Sequence, residues 1–158
     1  MKDIKSLTLP QLKEEMSALG EKPFRAKQLY EWMHVKLARD YDEMTNIPQS
    51  LIAKCRENYE YTSLKEVMVQ TSAIDGTKKF LFELADGNLV ESVWMQYHHG
   101  NSVCISSQVG CRMGCAFCAS GENGLVRNLT VDELVGQVHG VIGEKGTDAL
   151  NHMVLMGC

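Results

Sequence analysis

Apolar positions in the first third of the chain recur at helical spacing. Leu12, Met16 and Leu19 follow Pro10 at intervals of three and four, and Gly20 stands behind them as a stop, which predicts a first helix. A second opens after Lys22 with Pro23 in its first turn, and Ala26, Leu29, Tyr30, Met33 and Leu37 form one continuous stripe of the kind that faces a core. A third runs from Pro48 through Leu51, Ile52 and Cys55. Cys55 lies on that stripe, so it reads as a buried, inert thiol.

The period then falls to two. Val67, Val69 and Thr71 alternate, as do Phe80, Phe82 and Leu84, and then Leu89, Glu91, Val93 and Met95. Asp75-Gly76 and Asp86-Gly87 separate the three sets, which predicts a three-strand antiparallel meander. His98-His99-Gly100-Asn101 reads as a connector. From Ser102 the plan becomes strand, loop, helix, strand. Ser102 to Val109 is the strand. Thr130 and Glu133 make a capping box ahead of Val131, Leu134, Val135, Val138, Val141 and Ile142, and Gly143 and Gly146 close that helix. Met153 to Met156 is a short buried-strand signal. One such unit implies a parallel pair. The expected fold is therefore α+β, then α/β. It comprises a helical domain over residues 1–63, an antiparallel extension over 64–97, and the first βαβ unit of a parallel barrel-like core over 98–158.

Composition adds limits. The chain has 158 residues, 44% hydrophobic and 23% charged, enough for one domain or somewhat more. No apolar run reaches the roughly 20 residues of a membrane span. Met1-Lys2-Asp3-Ile4-Lys5 starts no signal segment, so a reducing cytoplasm is expected. The net charge of −4 does not advertise nucleic-acid binding. Glu21 to Arg39 departs from that balance, with Lys22, Arg25, Lys27, Lys36 and Arg39 against Glu21 and Glu31, a local +3. That is a solvated helix face or a weak electrostatic footprint for phosphate.

The chemistry concentrates in Gly110-Cys111-Arg112-Met113-Gly114-Cys115-Ala116-Phe117-Cys118. Three thiolates at Cys-x3-Cys-x2-Cys spacing can each hold one iron of a cubane cluster. Clusters are ordinarily closed by four thiolates, so a fourth iron is left open to a small molecule. Zinc is the alternative. It needs a fourth ligand, which Cys104, His98, His99 or His139 could supply. Gly110 and Gly114 would let the loop turn so that the sulfurs converge, and Phe117 would either shield the cluster or pack in the core.

This spacing resembles the signature of the radical S-adenosylmethionine (SAM) enzymes. The flanks narrow the resemblance. Cys104-Ile105-Ser106-Ser107-Gln108-Val109-Gly110-Cys111, Phe117-Cys118-Ala119-Ser120-Gly121 and Gly124-Leu125-Val126-Arg127-Asn128-Leu129-Thr130 are similar to the RNA adenosine methyltransferase branch, the RlmN family. Gly20 to His34 resembles that family's accessory helical domain, and Asp86 to Val93 the strand before its core. The related Cfr family, which acts at carbon 8, is the nearest rival.

The resemblance implies a [4Fe-4S] cluster on Cys111, Cys115 and Cys118, with SAM on the open iron. It implies methylation of adenine carbon 2 in 23S rRNA and tRNA, and an electron donor of flavodoxin or ferredoxin type. The methyl group passes through a cysteine near the family's C-terminus. Cys104 falls on the cysteine that resolves the protein–RNA adduct through a transient disulfide, and Glu91 on the position assigned as proton acceptor. Which of the two takes the proton stays open. Without the resemblance, Cys104 reads as a small buried strand residue and Glu91 as an outward strand carboxylate. Lys22, Arg25 and Lys27 would meet RNA phosphates. The family's Gly-Glu-Pro segment after Gly157, its remaining barrel units and its methyl-carrying cysteine are absent. The expectation is thus a monomeric N-terminal part of a longer enzyme, inactive alone; a standalone RNA- or metal-binding module is the other reading.

Overall fold

The computed structural model describes residues 1–143 and 147–155. Gly146, Met156, Gly157 and Cys158, which carried readings of a helix end, a strand end and the chain's close, lie outside the described residues. The chain forms two units, Met1–Ser63 and Leu64–Cys158.

In the first unit, α1 (Leu9–Ala18), α2 (Pro23–His34) and α3 (Gln49–Asn58) pack together, and β1 (Lys2–Asp3) pairs in parallel with β2 (Tyr59–Glu60). Pro10 and Pro23 sit in the first turns of α1 and α2, where a missing N–H costs nothing. Leu12, Met16, Ala26, Leu29, Met33, Leu51 and Cys55 are fully buried, and each such leucine contributes about 1.5–3 kcal/mol. The stripe on α2 ends sooner than its spacing predicts. The helix stops at His34, and Val35 and Lys36 both donate to the Glu31 carbonyl. Leu37 then turns left-handed at φ 57°, and Ala38, not Leu37, is buried in the core.

The second unit holds a five-stranded sheet of β3 (Lys65–Thr71), β4 (Lys78–Glu83), β5 (Leu89–Tyr97), β6 (Gly100–Ile105) and β9 (His152–Leu155), neighbours in that order. The strands β3, β4, β5 and β6 run antiparallel in succession. The meander therefore has four strands where the sequence predicted three. His98-His99 is a two-residue turn, with Tyr97 facing Gly100 across it. After β6 comes a small hairpin of β7 (Gln108–Gly110) and β8 (Leu125–Asn128), then α4 (Val131–Ile142), then β9 (His152–Leu155), which lies parallel to β6. The single strand expected over Ser102 to Val109 is thus two, β6 and β7, broken at Ser106-Ser107.

Two faces differ from the predicted ones. On β5 the buried positions are Val90, Ser92 and Trp94, one residue out of step with the set Leu89, Glu91, Val93 and Met95. On α4 the buried positions are Glu133, Gly136, Gln137, Val141 and Ile142, while Val131 is exposed. Gly136 and Gly140 explain the second shift. A side chain at Gly136 would press on Leu64 and one at Gly140 would overlap the Phe82 ring, so the helix seats closely on its small and polar side. Edge strand β3 is exposed along its whole length, although Val67 and Val69 are apolar.

Candidate functional site

The three thiols sit on a loop closed by the β7–β8 hairpin. Gln108 pairs with Asn128 and Val109 with Arg127, and a bulge then brings Gly110 opposite Leu125. Gly110 has φ 71°, and a Cβ there would overlap the Gly124 carbonyl oxygen. That oxygen accepts from the Cys111 N–H at 3.1 Å. Gly114 turns left-handed at φ 62° and lies against Gly121. At the neck, where Gly110 meets Gly124, the absence of a side chain is what lets the backbone segments approach.

Inside the loop the Cys118 N–H donates to the Cys115 carbonyl at 3.1 Å, and the Cys111 sulfur accepts from the Met113 N–H at 3.5 Å. Cys115 is exposed; Cys111 and Cys118 are half-buried. Cys115, Phe117, Cys118 and Glu122 help line an open concavity of about 440 Å³. Phe117 is 94% exposed, so core packing is not its role. Among the described residues no three His, Cys, Asp or Glu side chains are gathered as a metal-binding group. The residues fit an iron–sulfur cluster in donor chemistry, with three thiols on one turn-rich loop. Zinc completed by His98 or His99 does not fit. These lie at the turn before β6 while the thiol loop follows its other end, and six strand residues span roughly 20 Å. Cys55, Cys104, Cys111, Cys115 and Cys118 form no disulfide. Burial pushes the Cys55 thiol up to about 11, consistent with an inert core thiol.

Glu91 and Cys104 share a sheet face. Cys104 pairs directly with Val93, and Glu91, two residues before Val93, points the same way. Such diagonal positions are about 7–8 Å apart. This face is opposite the one bearing Trp94, Val103 and Ile105, which are buried. The Glu91 side chain is 57% exposed and pairs with Lys79 at 3.0 Å. Burial of the kind that disfavours a charged carboxylate is not present at Glu91 in this chain.

The sequence reading missed a polar network behind this face. Gln137, fully buried, accepts from Ser92 Oγ and Ser106 N at 2.9 Å and donates to the Ser106 carbonyl at 2.9 Å. Ser106 Oγ donates to the Glu91 carbonyl at 2.7 Å. Arg127 grips both Glu133 carboxylate oxygens at 2.7 and 2.8 Å and Asp86 at 2.7 Å. The guanidinium beside them holds the Glu133 and Asp86 carboxyls below the usual carboxylate range. The available signal was a glutamine on an apolar helix, four residues after the capping glutamate.

In the other unit, Lys22 and Lys27 are exposed at the start of α2. Arg25 lies over the half-exposed Phe24 ring at 4.7 Å and bonds Gln28. Among the described residues none of these three cations is in an ion pair, whereas Glu21 pairs with Lys54 and Glu31 with Lys36.

Comparisons with known proteins bear on this arrangement. Over 99% of its length the chain superposes on the crystal structure of a radical SAM methyltransferase from Sphaerobacter thermophilus, with a TM-score of 0.89 and 38% identity, covering 47% of that chain. The fold is that of a radical SAM methyltransferase. Residues 2–60 match the family described as the ribosomal RNA large subunit methyltransferase N-terminal domain. The chain is 54% identical over 155 residues to a protein of Lachnoclostridium phytofermentans and 55% identical over 157 to one of Lachnospira eligens, each named "Probable dual-specificity RNA methyltransferase RlmN". Residues 2–60 thus carry the N-terminal domain of that family, and nearly the whole chain is similar to RlmN-family proteins. It covers 98% and 99% of itself in these matches but only 43% and 45% of the relatives' length.

Proposed function

We propose that this chain provides the accessory domain and the cluster-binding part of a radical SAM methyltransferase that methylates carbon 2 of adenine in 23S rRNA and tRNA. The observation that carries the reading is the three-thiol loop, set behind a strand of a parallel pair, in a chain alike over its whole length to such enzymes. The relatives bear the name of the carbon-2 family, which favours it over carbon 8.

Cys111, Cys115 and Cys118 would hold a [4Fe-4S] cluster. When bound, the cluster would deliver an electron, received from a flavodoxin- or ferredoxin-type donor, to SAM and so supply a carbon radical. The chain's own side chains serve the steps around it. Glu91 stands on the open sheet face to accept the proton that leaves carbon 2. Cys104, on the same face, would attack the sulfur of the methyl-carrying cysteine in the rest of the enzyme. The new S–S bond breaks the S–C link to the RNA, and its electron pair passes to the methylene carbon, which gains a proton to become methyl. Lys22, Arg25 and Lys27 would hold RNA phosphates. No helix among the described residues is long and apolar enough to cross a membrane, and we place the protein in the cytoplasm, as a monomer, with its RNA substrates.

The test is anaerobic reconstitution of the chain with iron and sulfide. A four-iron charge-transfer absorption is expected, abolished by Cys111→Ala, Cys115→Ala or Cys118→Ala and kept by Cys55→Ala and Cys104→Ala. Stoichiometric zinc with no iron would sink the reading and leave a metal- and RNA-binding module.

A further inference from the structure

We propose that one face of α4 clamps both ends of the thiol loop, with Gln137 and Arg127 as positioning residues for the three sulfurs. The role assigned to the sulfurs rests on the cluster reading above; the clamp itself stands on geometry.

The loop begins where the sheet gives out. Ser92 and Ile105 are the last pair of the β5–β6 ladder on that side. At the next residue, Ser106, the Gln137 side chain takes over. It accepts from the Ser106 N–H and donates to the Ser106 carbonyl, both at 2.9 Å. A side-chain amide thus does what a neighbouring strand would do. Its remaining capacity goes to Ser92 Oγ at 2.9 Å and the Glu133 carbonyl at 3.4 Å. A buried amide is costly unless it is bonded, and this one is bonded on both its oxygen and its nitrogen. Replacement by a hydrocarbon would leave two Ser106 backbone groups buried without these partners.

The loop's far end is held by the same helix one turn earlier. Arg127 lies on β8, and its guanidinium makes a bidentate fork to Glu133. The Glu133 side chain is only 8% exposed and also accepts from the Thr130 N–H at 2.9 Å. Glu133 and Gln137 are four residues apart, hence on one helix face. The two ends are tied to each other as well, through Leu129 N–H and the Ser107 carbonyl at 2.9 Å. Between these ties run backbone bonds within the loop, among them Cys118 N–H to the Cys115 carbonyl and Gly124 N–H to the Gly121 carbonyl. Where its stem points, and so where three sulfurs can meet, is set by α4. Ligand constellations must be held to about 0.5 Å by such support.

The experiment uses Gln137→Leu, which removes the amide at similar size, and Arg127→Lys, which keeps the charge and loses the fork. Val141→Ala is the control, since Val141 is buried on the same helix and touches none of these bonds. Hydrogen exchange of residues 106–111 and 125–129 is read against β4 and β5. Iron and sulfide retained after reconstitution are measured in parallel. At least tenfold faster exchange is expected at the loop's start for Gln137→Leu and at its end for Arg127→Lys, with the β4 and β5 rates changed less. Iron retention should fall at least threefold in both. Val141→Ala should lose stability without either selective change. Unchanged loop exchange in the two variants, or the same selective loss in Val141→Ala, overturns the clamp. Should Gln137→Leu fail to fold, Arg127→Lys decides. A parent that takes up no iron sinks the cluster reading, while the exchange rates still judge the clamp.

Discussion

Replacing Gly110 by alanine should cost more than the same change at Gly114, and the difference isolates the neck of the thiol loop. Both glycines are left-handed, at φ 71° and 62°, and alanine in that region costs roughly 1–2 kcal/mol. At Gly114 the added carbon meets nothing within 4 Å, so that is the whole expected loss. At Gly110 it overlaps the Gly124 carbonyl oxygen, which is backbone and cannot swing aside as a side chain would. Relief requires the two stem strands to part, breaking the 3.1 Å bond from Cys111 N–H to Gly124, worth about 1 kcal/mol. The expected loss at Gly110 is therefore about 2–3 kcal/mol, bounded by the cost of opening the stem. Urea midpoints for both variants, with exchange of the Cys111 amide, measure it. Equal losses at the two positions, or a Cys111 amide still protected in Gly110→Ala, would refute the reasoning.

Two further outcomes follow from charge. Reversing Lys22, Arg25 and Lys27 to glutamate should weaken binding of structured rRNA and flatten its salt dependence, because fewer counterions are released; undiminished affinity in a filter-binding titration would return these residues to a solvated helix face. The Glu133 carboxyl is held below its ordinary value, first by its bonds to Arg127 and also by the Thr130 N–H. The stabilisation it brings is thus present at neutral pH and lost as pH falls below the ordinary glutamate value of about 4.3. Glu133→Gln should lower stability by about 1–3 kcal/mol at pH 7 and flatten the acid limb. Parallel acid limbs for parent and variant would show that the Arg127 pair is not responsible.

Much of the architecture was readable because it rests on local rules. Proline in a first helical turn, the Asp-Gly turns and the Thr130–Glu133 box each act within a few residues. What was not readable depended on tertiary partners. On β5 both parities carry apolar residues, Val90 and Trp94 on one and Leu89, Val93 and Met95 on the other. Polar Ser92 lies on the buried parity because its hydroxyl is bonded to Gln137, a partner that the strand's own pattern does not reveal. On α4, counting apolar residues pointed away from the packed side, because glycine and hydrogen-bonded polar residues made the closest approach. The thiol spacing marked the site at once. The support for it, from Ser106, Arg127, Glu133 and Gln137, has no spacing signature, since its members come from three separate stretches.

The same argument explains why Glu91 and Cys104 stand where they do. A sheet strand offers two faces, and α4 can cover only one. Its cover is centred on Phe82, Trp94, Val103 and Ile105, and residues of opposite parity are left on the other side. Glu91 and Cys104 belong to that other parity. Ser106 Oγ, bonded to the Glu91 carbonyl, joins the two sides. The network that fixes the start of the thiol loop therefore also fixes the backbone carrying Glu91. A shift at Gln137 would reach both the sulfurs and the carboxylate, so a variant that moves only one of them must act elsewhere.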